Sequence, residues 1–228
     1  MVPHRCFSTK TKAVNPAEER FRPLLRLIGY YGPEATRHKQ AEEIMMSCAV
    51  QAHLPGWEKS GKVKASEFRP RQALIMAHVW MVHRKLHFFP KAQLSYAKLL
   101  QEVLFDELWD DTIKRIRLLK VPELTVDKHL KNSQKYSFAQ AVEFDQAMAE
   151  TNKADRLDKI AAGVWRHIFL ATDDPNINVE HCQNIAKYII DNANMVDNLS
   201  PEDVLEANFM WSKPRFPDTS HFNDIITS

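Results

Sequence analysis

The stretch RPRQALIMAHVWMVHRKLHF, residues 69–88, decides the fold. Wound at 3.6 residues per turn, Leu74, Ile75, Ala77, Val79, Trp80, Met81, Val82 and Leu86 surround it almost completely. A helix that is apolar on every side has to lie in the middle of a bundle. Its uncharged centre, Gln72 to His83, ends at Arg71 and Arg84 and is too short to cross a bilayer.

Amphipathic segments flank this centre. After it, Gln93 to Leu119 carries one stripe of Leu100, Val103, Leu104 and Leu108 and a neighbouring one of Phe105, Trp109, Ile113 and Ile116. Its acids come early and midway and its bases last, which suits the helix dipole and allows pairs such as Asp110 with Lys114. Before it, Pro33 to His53 repeats Ala41, Ile44, Met45, Cys48 and Ala52 on one face, and residues 55–67 read as a polar, basic loop. A first helix is expected from Asn15, as N-cap before Pro16, to Gly32. Downstream, periodic apolar positions predict a helix or helix pair over 125–149, a helix over 155–171 and another over 179–196. A last short one starts at Ser200-Pro201. The expectation is an all-α fold, a single globular bundle of about seven to eight helices with irregular tails. Residues 15–211 form the helical domain. Residues 1–14 are a basic tail that reads as the remnant of a mitochondrial targeting segment, with Arg5-Cys6-Phe7-Ser8 resembling a cleavage site. Residues 212–228 are an irregular tail with Pro214 and Pro217.

Only 5 glycines and few β-branched runs argue against sandwiches, barrels and dinucleotide folds. The net charge of +2 hides an asymmetry: +9 over residues 1–120 (21 bases, 12 acids) and −7 over 121–228 (10 bases, 17 acids). The first half would meet a phosphate-rich surface, ribosomal RNA or anionic lipid. Its densest cluster is Lys59, Lys62, Lys64, Arg69 and Arg71. The three cysteines make no CxxC pair, and Cys48 and Cys182 fall on apolar faces as core thiols.

Catalytic patterns are missing. There is no phosphate-binding glycine loop, no GxSxG and no HExxH. His78 and His83 are five residues apart and do not share a face. Glu107 and Asp111 do share one, but bases follow within a turn and make it a solvated face. Phe105, Trp109, Trp165 and Phe169 read as core. Neither an enzyme nor a cofactor or metal site is expected.

Several segments in order resemble the ubiquinol–cytochrome c chaperone family. They are Leu24 to Gly32, His78-Val79-Trp80-Met81-Val82 with Arg84-Lys85-Leu86, Phe105 to Asp110, Arg115-Ile116-Arg117, Lys128 to Lys131, Phe144-Asp145-Gln146-Ala147 and Val164-Trp165-Arg166. The chain departs from the family at Ala97, Lys120 and Ser137, where glycine is usual, and at Phe144, where tyrosine is usual. The resemblance implies a non-catalytic helical protein of the mitochondrial matrix, peripheral to the inner membrane. It would bind newly made cytochrome b during assembly of complex III and pair with a small helical partner. It singles out Trp80, Arg84, Trp165 and Arg166 as partner- or client-binding positions. The alternative is a chaperone-like fold recruited as a permanent accessory subunit of a respiratory complex, ATP synthase or the mitochondrial ribosome. An irregular tail that orders only against neighbours would favour it.

Overall fold

A computed structural model describes residues 32–217, and every regular element in that span is helical. Residues 15–31 of the first expected helix, the tail 1–14 and residues 218–228 lie outside the described residues. In chain order the helices are α1 (Pro33–Ala52), α2 (Gly56–Lys59), α3 (Phe68–His87), α4 (Leu94–Leu118), α5 (Val126–Met148), α6 (Lys153–Gly163), α7 (Val179–Asp197) and α8 (Pro201–Leu205). The compact unit that holds the core begins at Arg37, inside α1.

Helix α3 is central, as its composition requires. Every residue from Gln72 to Val82 is buried, and the helix packs against α4, α5 and α7. Burial of large side chains such as Leu74, Met81 and Leu86 contributes roughly 1.5–3 kcal/mol each. Its buried polar residues, Gln72 and His78, are both partnered. Gln72 accepts from Thr112 Oγ1 (3.2 Å) and from Arg115, and Gln140 of α5 donates to the Ala73 carbonyl (2.9 Å). The ion pair on this stretch of α4 is Asp111–Arg115 (2.6 Å).

His78 is fully buried. Its Nδ1 lies 2.7 Å from the Leu74 carbonyl, which can only accept, so Nδ1 carries the proton. Nε2 then accepts from the Tyr188 hydroxyl (2.9 Å), and that oxygen accepts from Gln51 Nε2 (2.8 Å). This chain ties α3 to α7 and α1.

Two parts of the fold lie outside the helical periodicity. The expected loop at 55–67 contains α2, which buries Trp57 and donates its indole N–H to the Gln51 carbonyl (2.9 Å). The irregular segment after α8 docks on its own domain. Trp211 Nε1 donates to Ser47 Oγ (2.9 Å), Ser212 N to Asn192 Oδ1 (2.9 Å), Gln51 Nε2 to the Ser212 carbonyl (2.7 Å) and Phe216 N to Ser60 Oγ (3.2 Å). Gly56 is required there, because a Cβ would stand 2.0 Å from the Pro214 carbonyl oxygen. These bonds tie the tail to its own domain as far as Phe216.

Burial pushes the His78 imidazole down to about 4. The unfolded chain therefore binds the proton more readily, and stability is full above pH 6.5 and lost as pH falls from 6.5 towards 4. Urea unfolding at pH 7 and pH 5 should differ by about 2 kcal/mol from this group alone. His83, also lowered by burial, acts in the same direction. A flat profile over this window would contradict the buried neutral imidazole.

Candidate functional site

Helix α6 starts at Asn152, whose side chain accepts from Ala154 N (2.9 Å), and ends at Gly163. A wider turn follows over Val164–Ile168, closed by a bond from Phe169 N to the Val164 carbonyl (3.1 Å). Such π-type turns insert one extra residue per turn and re-aim the side chains beyond them. Leu170 and Ala171 then take left-handed conformations (φ 58° and 51°), which stops the helix. Val164, Ile168 and Phe169 stay buried, but Trp165 is 40% exposed. The expected core role of Trp165 is thus corrected: the turn carries the indole out of the bundle.

The indole N–H donates to the Thr172 carbonyl (3.3 Å) and pins the ring beside a cleft between α6 and α7. Ala161, Ala162 and Trp165 form one wall, and Ile177, Val179 and Cys182 the other. Asp158 and Gln183 meet at its edge, with Gln183 Nε2 donating to Asp158 (3.1 Å). The cleft holds about 680 Å³, room for several apolar side chains of one helix face. Val179 on its rim is 71% exposed, an apolar group left without cover. Burial pushes the Cys182 thiol up to about 11, so it is a protonated, inert wall group. The walls of the cleft are mainly apolar, with Asp158, Asn178 and Gln183 among its lining residues.

Two of the four positions singled out in the sequence, Trp80 and Arg166, are held by one tripeptide of α5, Glu143-Phe144-Asp145. Glu143 Oε2 accepts from Arg166 Nε (3.2 Å) and lies 3.3 Å from His167 Nε2. Asp145 Oδ1 accepts from the Trp80 indole (2.8 Å). Phe144, fully buried, meets Trp80 edge-to-face at 5.3 Å. Gly163 lies against the other part of its ring, where a Cβ would fall 2.8 Å from Cε1. Trp80 itself is 2% exposed and acts from the interior. Arg84 pairs with Asp197 of α7 (3.2 Å) and lines a groove with His83, His87, Phe88, Asp145 and Met148. Of the four, Trp165 and Arg166 are exposed, and Trp165 alone lines the cleft.

Of the basic cluster, Lys59, Lys62 and Lys64 are exposed. Arg69 stacks on Tyr136 (4.3 Å), and Arg71 Nε donates to the Ala65 carbonyl (2.7 Å). Glu143, Ile177 and Val179 were not legible as site residues, because only the turn after Gly163 brings them round Trp165. Among the described residues no three His, Cys, Asp or Glu side chains are placed to hold a metal, and no helix is long and apolar enough to cross a membrane.

Comparison with known proteins decides the family. The family described as ubiquinol–cytochrome C chaperone matches residues 65–211, more than half of the chain. The chain belongs to the ubiquinol–cytochrome c chaperone family. The matched span contains Trp80, Arg84, Trp165 and Arg166, whereas Lys59, Lys62 and Lys64 precede it. The crystal structure of the Cbp3 homolog from Brucella abortus superposes with a TM-score of 0.66, over 84% of this chain and 97% of that one. At 14% identity this likeness shows the shared fold. No curated protein matches the chain in sequence.

The Phe144–Gly163 contact gives a direct test. Gly163→Ala gains up to about 1 kcal/mol of helix propensity but overpacks a buried ring at a cost of about 1–3 kcal/mol. A net loss of about 1 kcal/mol by denaturant unfolding is expected, and in a Phe144→Leu background the same change should become neutral or stabilising. Equal effects in both backgrounds would rule the contact out.

Proposed function

We propose that this chain is a non-catalytic assembly chaperone of ubiquinol–cytochrome c reductase. It binds newly made cytochrome b and works in the mitochondrial matrix at the surface of the inner membrane. The observation that carries this reading is the apolar cleft at Trp165, open to solvent and lined by an inert thiol. Family membership supports a chaperone role. A helix of a membrane protein, apolar on its outer face, needs such a surface until it is inserted. Trp165 supplies flat contact area, and Arg166, exposed next to it in sequence, is held by Glu143. Trp80 and Arg84 hold the frame from α3 and make no client contact themselves.

A second observation favours a permanent accessory subunit of a larger assembly. Phe105, Trp109 and Phe138 form an aromatic cluster with ring centroids 5.6–6.0 Å apart, and Phe138 and Val142 are about half exposed. A lasting protein interface would cover such a patch.

Native fractionation of solubilised mitochondria separates the two. Migration of the chain in a small species with cytochrome b, substoichiometric to the mature reductase, is the expected result. Stoichiometric migration with a mature multi-subunit complex would sink the chaperone reading and leave the subunit.

A further inference from the structure

The end of α4 and the turn to α5 carry three exposed leucines, one of which, Leu124, is the most exposed large apolar side chain among the described residues. Leu118 is 78% exposed, Leu119 55% and Leu124 99%. They stand at the tip of a hairpin of two long helices, Leu94–Leu118 and Val126–Met148. Three leucines within seven residues on a projecting end are not the ordinary scatter of surface apolar groups.

Their surroundings are basic. Residues 114–131 hold Lys114, Arg115, Arg117, Lys120, Lys128 and Lys131 against two acids, Glu123 and Asp127. Glu123 is already neutralised by Arg117 (2.6 Å), and Arg115 is engaged by Asp111. Lys114, Lys120, Lys128 and Lys131 are exposed and, among the described residues, paired with no carboxylate. Lys120 stands in a left-handed conformation (φ 56°) at the turn that follows α4.

We infer that the α4–α5 tip docks on an anionic lipid bilayer, with Leu118, Leu119 and Leu124 dipping between the headgroups and the lysines facing their phosphates. A short apolar insertion and a polybasic collar are each weak anchors, and together they give reversible attachment. The long lysine stems reach back to the headgroups while the leucines enter the apolar layer. Nucleic acid fits worse. The tip has no Phe, Tyr or Trp to stack on a base between residues 114 and 131, and three bare leucines gain nothing against a phosphate backbone. The inference deepens the membrane-surface reading by naming the element that meets the bilayer, and vesicle binding is read without any client, so either can fail alone.

The full chain is mixed with phosphatidylcholine vesicles, with or without about 30 mol% phosphatidylglycerol, and floated on a density gradient. Flotation only with the anionic vesicles, weakened by raising the salt to about 0.5 M, is expected. Leu119→Ser/Leu124→Ser should lower partitioning about tenfold, with an unchanged thermal midpoint because both side chains are exposed. Lys120→Glu/Lys128→Glu should do the same. Met46→Ser/Val50→Ser, which removes the exposed apolar pair of α1 beside Glu42 and Glu43, should float like the unaltered chain. No flotation of the unaltered chain, or tip variants that float within twofold of it, would overturn the inference. Tip variants that float normally but lose a co-purifying protein would assign the tip to a protein partner instead.

Discussion

One buried ring, Phe144, seats α6 against α5. Phe144 is closed on one side by the Trp80 indole and on another by Gly163, where no side chain fits. That contact brings α6 close against α5. It also brings Arg166 and His167 to Glu143, one residue before Phe144, while Asp145, one residue after, takes the Trp80 indole. A tripeptide on one helix therefore fixes both the central helix and the turn that follows α6. The turn held there leaves Trp165 at the surface, where it forms a wall of the cleft.

The interior and the surface of the site divide the work. Trp80 and Arg84 are spent on Asp145 and Asp197, contacts that hold α3, α5 and α7 in register. Breaking a half-buried pair leaves a charge without a partner, so these side chains behave as structural. Trp165 makes one long hydrogen bond and otherwise presents an apolar face. The walls of small and aliphatic residues beside it suit a helix approaching closely. The alternative use of strain appears at Lys120, where a left-handed lysine costs about 1 kcal/mol relative to glycine.

The helices were legible because burial leaves a period. The all-round apolar run from Leu74 to Val82 places α3 at the centre, and the stripes of α1, α4 and α7 face it. The thiols Cys48 and Cys182 and the separate faces of His78 and His83 follow from the same spacing. Three features left no periodic trace. The turn at Val164–Ile168 keeps helical residue types while changing the bond pattern, so Trp165 reads as core on a 3.6-residue count. Helix α2 is one turn long and is fixed by a single buried indole. The strap after α8 is held by backbone and side-chain hydrogen bonds to α1, α2 and α7, partners more than 100 residues away in several cases. Long-range pairing of that kind is invisible to any local pattern, and glycine at 56 gave no hint of the carbonyl lying against it.

The central claim is that the cleft at Trp165 receives an apolar segment of another protein. The most direct measurement places the photo-reactive amino acid p-benzoylphenylalanine at position 165 and, separately, at position 138, in cells that make cytochrome b. After irradiation, the account requires cross-links from position 165 to a membrane-spanning segment of cytochrome b, with few or none from position 138. Cross-links to cytochrome b from position 138 and none from position 165 would contradict it, and would move the client from the cleft to the aromatic cluster of α4 and α5.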